Sequence, residues 1–129
     1  MLFFIRWLAA AALAAHGIAH AAGFAVAWRL MASPDLPYHT TVFNGRLDVG
    51  DTGMRLVGLA WLVAAFAFVM TAWLLLSRHQ GAPAFVIFVA LASLVLCAVE
   101  WPFARVGLFI DLALILTVPV LTWTAASSR

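Results

Sequence analysis

The chain has 129 residues, of which 67% are hydrophobic and only 9% are charged. A soluble domain carries about 25% charged residues, so the composition excludes an ordinary water-soluble fold and predicts an integral membrane protein. The net charge of +2 is too small for a basic nucleic-acid footprint, and no nucleic-acid partner is expected. Seven arginines, no lysine and abundant alanine favour a bacterial protein. We therefore expect a multi-pass protein of the bacterial cytoplasmic (inner) membrane.

Four apolar runs are long enough to cross a bilayer, which takes about 20 helical residues. They predict an all-α membrane protein, a single four-transmembrane-helix bundle spanning residues 1–129. The expected helices cover about residues 2–31, 53–76, 83–103 and 106–126. The first run is too long for the apolar part of a cleaved signal peptide, so we expect it to be retained.

Four membrane crossings would place the two termini on the same side of the bilayer. That side would carry three arginines (Arg6, Arg78, Arg129) and the other side four (Arg29, Arg46, Arg55, Arg105). The positive-inside rule counts lysine and arginine, and these counts do not orient the chain. Because several arginines of the second group have carboxylates nearby, we favour cytoplasmic termini.

The first connection, over about residues 32–52, is long for a helical bundle. It contains Asn44-Gly45 between two runs of β-prone residues, which is the strongest short signal for a hairpin. We predict a small β-hairpin at about residues 40–49, capping one end of the bundle.

Small residues recur at every fourth position of the first helix: Ala11, Ala15, Ala19, Gly23 and Ala27. Small side chains at this spacing let membrane helices approach closely. We expect this face to pack inside the bundle or against another protomer.

Ionisable side chains gather toward the hairpin end of the predicted bundle. His16 and His20 are four residues apart and share one face of the first helix. Glu100 and Asp111 lie near the hairpin-side ends of the third and fourth helices. Such groups are costly inside a bilayer and mark functional sites. We predict a polar site in this half of the bundle, formed by His16, His20, Cys97, Glu100, Arg105 and Asp111.

A transition metal is one ligand that this site would suit. Two imidazoles and carboxylates from other helices are typical ligands of zinc, iron and copper, so the candidate metal set is His16, His20, Glu100 and Asp111. Haem is disfavoured, because two histidines one turn apart on one helix cannot occupy opposite axial positions of one iron.

A structural interpretation competes with the functional ones. In it, Arg105 neutralises Glu100 or Asp111 and holds the helix ends together. Cys97 is then a small buried hydrophobe, and His39 is a solvated loop residue.

Two segments resemble a family of small, poorly characterised bacterial four-helix membrane proteins. Residues 16–24, HGIAHAAGF, are similar to the opening of that family, and residues 58–65, GLAWLVAA, to its second helix. The later pattern of Trp101, Ala104, Gly107 and Asp111 also looks similar. The resemblance implies a four-helix fold, and it implies no established activity.

These patterns together predict a membrane protein that binds a small polar group, a lipid headgroup or a metal, or that supports a partner membrane protein. The alternatives are a membrane-embedded enzyme, with or without a metal, and a small proton-coupled transporter. Besides the lipid bilayer, the expected partners are another membrane protein or a second copy of the chain.

Overall fold

The structure, a computed structural model, describes residues 2–127 and, among them, the side chains of residues 3–118. Within this part of the chain, four helices and one two-stranded hairpin are present. They are α1 (Leu2–Ala27), β1 (Thr41–Val42), β2 (Leu47–Asp48), α2 (Gly50–Leu76), α3 (Ala82–Val99) and α4 (Arg105–Ser127). The predicted helical class with a small antiparallel hairpin is therefore confirmed.

Three of the helices are long and apolar enough to cross a membrane, by length and composition: Phe3–Ala27, Gly50–Leu76 and Ala82–Val99. Their outward faces carry large apolar side chains. Phe66, Phe88 and Val95, for example, are each about two-thirds exposed. Apolar surface of this extent is uncommon on soluble monomers and is compatible with contact with lipid.

The first helix ends earlier than predicted, at Ala27 rather than Met31. Arg29 has a left-handed backbone with φ of 56°, and the N–H of Leu30 donates to the carbonyl of Ala25 over 2.7 Å. A left-handed residue just beyond the last turn is a common way for a helix to stop.

The second and third helices also differ from their predicted bounds. The second begins at Gly50, three residues earlier than expected, immediately after the hairpin. The third ends at Val99 instead of residue 103. Residues 100–104 form turns, and Pro102 has no N–H with which to continue a helix.

The hairpin is shorter than the predicted residues 40–49. Residues 41–42 pair antiparallel with residues 47–48, and the turn between them contains Asn44 with φ of 58°. The N–H of Phe43 donates to the carbonyl of Val99 over 2.8 Å instead of across the hairpin. This bond ties the hairpin to the end of α3.

The helices α1 and α2 approach closely where one of them has a glycine. A Cβ at Gly17 would lie 2.9 Å from the carbonyl oxygen of Ala65, and a Cβ at Gly58 would lie 2.7 Å from Cβ of Ala27. A Cβ at Gly23 would similarly lie 2.8 Å from the ring of Trp61. These glycines allow the two backbones to pack together, as small residues do in membrane helices.

The predicted stripe of small residues is only partly buried. Gly23 and Ala27 pack against α2, whereas Ala11, Ala15 and Ala19 are exposed. Packing inside the bundle therefore holds for only part of the stripe, because the contact face turns toward Gly17 nearer the N-terminus. Contact of the exposed alanines with another protomer stays a prediction.

The order of the helices in the bundle follows the chain. α1 packs against α2, α2 against α3, and α3 against α4. An apolar core fills the end of the bundle near the termini: Ala10, Leu13, Phe68, Ala72, Val86 and Val89. The polar groups lie toward the hairpin from this core.

Replacing Gly17 with alanine is expected to lower the free energy of unfolding by about 1–3 kcal/mol, the usual cost of overpacking. The new methyl group would meet the α2 backbone at Ala65, which cannot rotate away. Thermal denaturation in detergent measures the change. The control Ile18→Ala, at a neighbouring position that is 68% exposed, should change stability by less than about 0.5 kcal/mol. Equal stability of the two variants would contradict the close approach of α1 and α2.

Candidate functional site

Two histidines of α1 and an aspartate of α4 meet in the interior of the bundle. His16, His20 and Asp111 are 7%, 4% and 0% exposed, respectively. His16 Nε2 donates a hydrogen bond to Asp111 Oδ1 over 3.0 Å. This bond joins α1 to α4, and it gives the buried carboxylate the partner that burial demands. We refer to His16, His20 and Asp111 as the inner cluster.

Two polar residues of α3 complete the surroundings of the inner cluster. His20 Nε2 is hydrogen-bonded to Ser93 Oγ over 2.6 Å. Cys97 Sγ lies 3.9 Å from Ser93 Oγ and donates to Asp111 Oδ2 over 3.7 Å. The inner cluster thus has polar contacts with α3 at both His20 and Asp111.

Aromatic rings of α2 enclose the two imidazoles. The ring centroids of His16 and Phe68 are 4.7 Å apart, those of His20 and Trp61 are 5.0 Å apart, and both pairs meet edge to face. The two imidazoles are themselves 4.4 Å apart. Trp61 is buried. Phe68 is fully buried, and no sequence pattern distinguishes it from the other apolar residues of α2.

A glycine of α4 brings that helix close to the inner cluster. A Cβ at Gly107 would lie 2.9 Å from Cys97 Sγ and within 3.9 Å of Cε1 of both His16 and His20. Any larger residue would therefore displace the thiol. Glycine at this position is one reason that α4 can place Asp111 against α1.

The inner cluster meets a geometric requirement for binding a metal ion. One ligand atom from each of His16, His20 and Asp111 can be chosen so that all lie within 4.8 Å of one another. Zinc–nitrogen bonds are about 2.0–2.1 Å long, so tetrahedral ligands lie about 3.4 Å apart. The widest of these separations would have to shorten by at most about 1.4 Å to reach that spacing.

In the structure, Glu100 lies apart from the other three residues of the predicted metal set. Glu100 Oε2 lies 3.3 Å from His39 Nε2, in the loop between α1 and α2, and the imidazole of His39 stacks on Phe103 with ring centroids 4.6 Å apart. Glu100 does not belong to the group of three that fits a metal. His39 is therefore not the solvated loop residue expected from the sequence. We refer to His39 and Glu100 as the outer pair.

The carboxyl group of Glu100 is 4% exposed, and only one of its oxygens has a partner. Within the described side chains, Oε1 is buried without a hydrogen bond. Burial raises the pKa of Glu100 above its ordinary value, and the neighbouring His39 opposes this shift. Burial is the larger effect, so the protonated form of Glu100 is favoured relative to the unfolded chain.

Arg105 lies outside the site. Its side chain is exposed, and among the described side chains it forms no ion pair with Glu100 or Asp111. The structural interpretation, in which Arg105 neutralises one of these acids, is therefore wrong for the described side chains. Glu100 instead pairs with His39, and Asp111 pairs with His16. Both histidines are distant in sequence from the acids, and the fold places each histidine next to its acid.

His16 and His20 of the inner cluster and both residues of the outer pair line one cavity of about 210 Å³. His16, His20 and Cys97 lie along its inner part, and loop residues Tyr38 and His39 line it toward the hairpin. We call it the hairpin-side cavity. The loop is held over it by Asp51, which accepts bonds from Tyr38 (2.5 Å) and Arg29 (2.8 Å).

A second cavity, of about 320 Å³, lies on the opposite side of His16. We call it the termini-side cavity. Apart from His16 and Thr117, its lining is apolar: Ala9, Ala12, Leu13, Leu75, Pro83, Val86, Ile110, Leu114 and Val118. His16 therefore borders two cavities: one whose lining includes several polar side chains among apolar ones, and one whose lining is almost wholly apolar.

No family model, curated protein or solved structure matches this chain. The resemblance to small bacterial four-helix membrane proteins stays an expectation.

Exchanging Asp111 for leucine is expected to lower the free energy of unfolding by about 1–3 kcal/mol, since His16 Nε2–H would be buried without an acceptor. The double variant His16→Leu, Asp111→Leu should recover much of this loss, because an apolar pair leaves neither partner unsatisfied. Thermal denaturation in detergent compares the two. A double variant no more stable than the single one would show that the residues do not act as a pair.

A fall in stability with rising pH is expected from Glu100. Its pKa is raised in the folded protein above the ordinary 4.5. The folded chain therefore binds more protons between these two values, and the free energy of unfolding decreases as pH rises through this window. Glu100→Gln, which never ionises, should lack this decrease in melting temperature.

The matched control for this pH series is Asp35→Asn, an exposed acid in the loop between α1 and α2 that also carries His39. It should keep the pH dependence of the original chain. Identical pH profiles for the original chain and Glu100→Gln would contradict the raised pKa.

Proposed function

We propose that this chain is an integral membrane protein that binds a transition metal ion at His16, His20 and Asp111. The supporting observation is that three buried ligand atoms from two helices lie within 4.8 Å of one another. Buried ionisable groups are rare in membrane helices and mark functional sites. Binding a metal gives these three costly groups a common role.

The identity of the metal follows from the donor atoms and from charge. A divalent ion held by two neutral imidazoles and one carboxylate keeps a positive charge, which is costly in an apolar interior. Coordination can deprotonate a thiol, and Cys97 Sγ is only 3.7 Å from Asp111 Oδ2. Cys97 is not one of the three residues whose ligand atoms lie within 4.8 Å of one another, so its Sγ would have to move inward to bind. As a thiolate it would make the site neutral and supply a fourth ligand. Two nitrogens, one oxygen and one sulfur suit zinc, with iron and copper as the other candidates.

The proposed topology has four membrane crossings, with α4 as the fourth. Both termini then lie on one side, which we assign to the cytoplasm of a bacterial cell, and the hairpin lies on the other. The hairpin-side cavity would open toward that outer side, so the metal would enter from there.

The metal proposal is tested by elemental analysis after loading. Protein purified without chelator, incubated with Zn²⁺ and desalted should retain about one equivalent, and His20→Ala should retain far less because one ligand is lost. Val95→Ala, on the exposed face of α3, is the control and should bind as the original chain does. If the original chain retains no more zinc, iron or copper than His20→Ala, the proposal is wrong.

A proton-coupled transporter is the second candidate. The observation that favours it is the position of His16, which lines both cavities and so lies between the two ends of the bundle. Histidine side chains can both donate and accept a proton and serve in proton relays. In proteoliposomes, a proton flux that is lost in His16→Leu would favour this function over metal binding alone.

A further inference from the structure

We propose that the outer pair, His39 and Glu100, is a second cation site at the mouth of the hairpin-side cavity, where a divalent metal ion binds before it reaches the inner cluster. This inference rests on the proposed metal-binding function and extends it to the route of entry.

The hydrogen bonds of His39 leave one nitrogen available as a ligand. His39 Nδ1 lies 2.9 Å from the carbonyl oxygen of Pro37. A carbonyl can only accept, so Nδ1 carries the hydrogen, and Nε2 is the nitrogen directed at Glu100. Metal-binding histidines are usually oriented in this way, with the other ring nitrogen donating to a backbone carbonyl.

The carboxyl group of Glu100 has a buried oxygen without a partner among the described side chains, which indicates a place for a ligand. Its side chain is more than nine-tenths buried, it lines the hairpin-side cavity, and its Oε1 is without a hydrogen bond among the described residues. Buried polar atoms in proteins nearly always have a partner. A metal ion held between this carboxylate and His39 Nε2 would provide one, using ligand types common for divalent transition metals.

The outer pair is positioned to pass an ion inward. Glu100 follows Cys97 by three residues along the chain at the end of α3, a rise of about 4.5 Å along a helix axis. Both residues line the same cavity, which continues to His16 and His20. On the other side of His16, the lining of the termini-side cavity offers no carboxylate, thiol or second imidazole. Among the described side chains that line the two cavities, the other groups that could bind a metal ion therefore lie on the hairpin side of His16.

The outer pair is also held in place. Phe103 stacks on His39, and the loop bearing His39 is anchored by the bonds of Tyr38 and Arg29 to Asp51. A preorganised pair of ligands loses little conformational entropy when it takes up an ion.

The test follows the rate of loading, using Co²⁺ as the probe because its visible absorption reports on tetrahedral coordination. Mixing the purified full chain with Co²⁺ in a stopped-flow instrument gives the loading rate, and titration gives the affinity. In Glu100→Gln the loading rate should fall by about tenfold or more, since the outer pair loses the carboxylate that would bind the entering ion. A weak second equivalent of Co²⁺ should also be lost, because the outer pair then lacks its carboxylate, whereas the tight equivalent held by the inner ligands remains. Asp35→Asn is the control for loss of an exposed acid and should load at the original rate.

A second measurement isolates the outer pair. In His20→Ala, where the inner cluster is incomplete, weak Co²⁺ binding should persist and should disappear when Glu100→Gln is added. An original chain that binds Co²⁺ but loads equally fast with Glu100→Gln would overturn the outer site and leave the proposed function standing. An original chain that binds no Co²⁺, Zn²⁺, Fe²⁺ or Cu⁺ would overturn both.

Discussion

The hydrogen bond between His16 and Asp111 is the interaction on which the arrangement of the helices at the site depends. It joins α1 to α4, the first and last helices along the chain, whereas backbone packing runs between sequence neighbours. Because both groups are buried, breaking the bond would leave two unsatisfied polar groups, which costs more than the bond contributes. The bond therefore favours one arrangement of α1 and α4 over apolar packings of similar contact area.

The sequence predicts the helical class, the hairpin and the convergence of His16 with Asp111 well, because each depends on a strong local signal or on a rare residue type. Apolar runs of bilayer length and Asn44-Gly45 are such signals. Ionisable side chains are few in an apolar chain and costly inside a bilayer, so those that are buried tend to pair with one another. The ends of α1 and α3 were less predictable, since they depend on the backbone of Arg29 and on turns around Pro102.

The partner of Glu100 was not predictable from spacing. An arginine five residues away is the obvious candidate by proximity, yet the structure pairs Glu100 with His39, 61 positions earlier. That pairing depends on how the loop folds back over the cavity, a conformation in which Tyr38 and Arg29 both bond to Asp51. The aromatic contacts of Phe68 with both histidines are equally invisible in the sequence, because α2 contains several exposed residues of similar apolar character.

The bond from Phe43 to the carbonyl of Val99 gives the hairpin a mechanical connection to the polar groups. Val99 lies between Cys97 and Glu100, so the hairpin is attached to the stretch of chain that carries one neighbour of the inner cluster and one member of the outer pair. Because of this hydrogen bond, displacement of the hairpin would also displace residues 97–100. A molecule that binds the hairpin would therefore change the positions of Cys97 and Glu100 without contacting them.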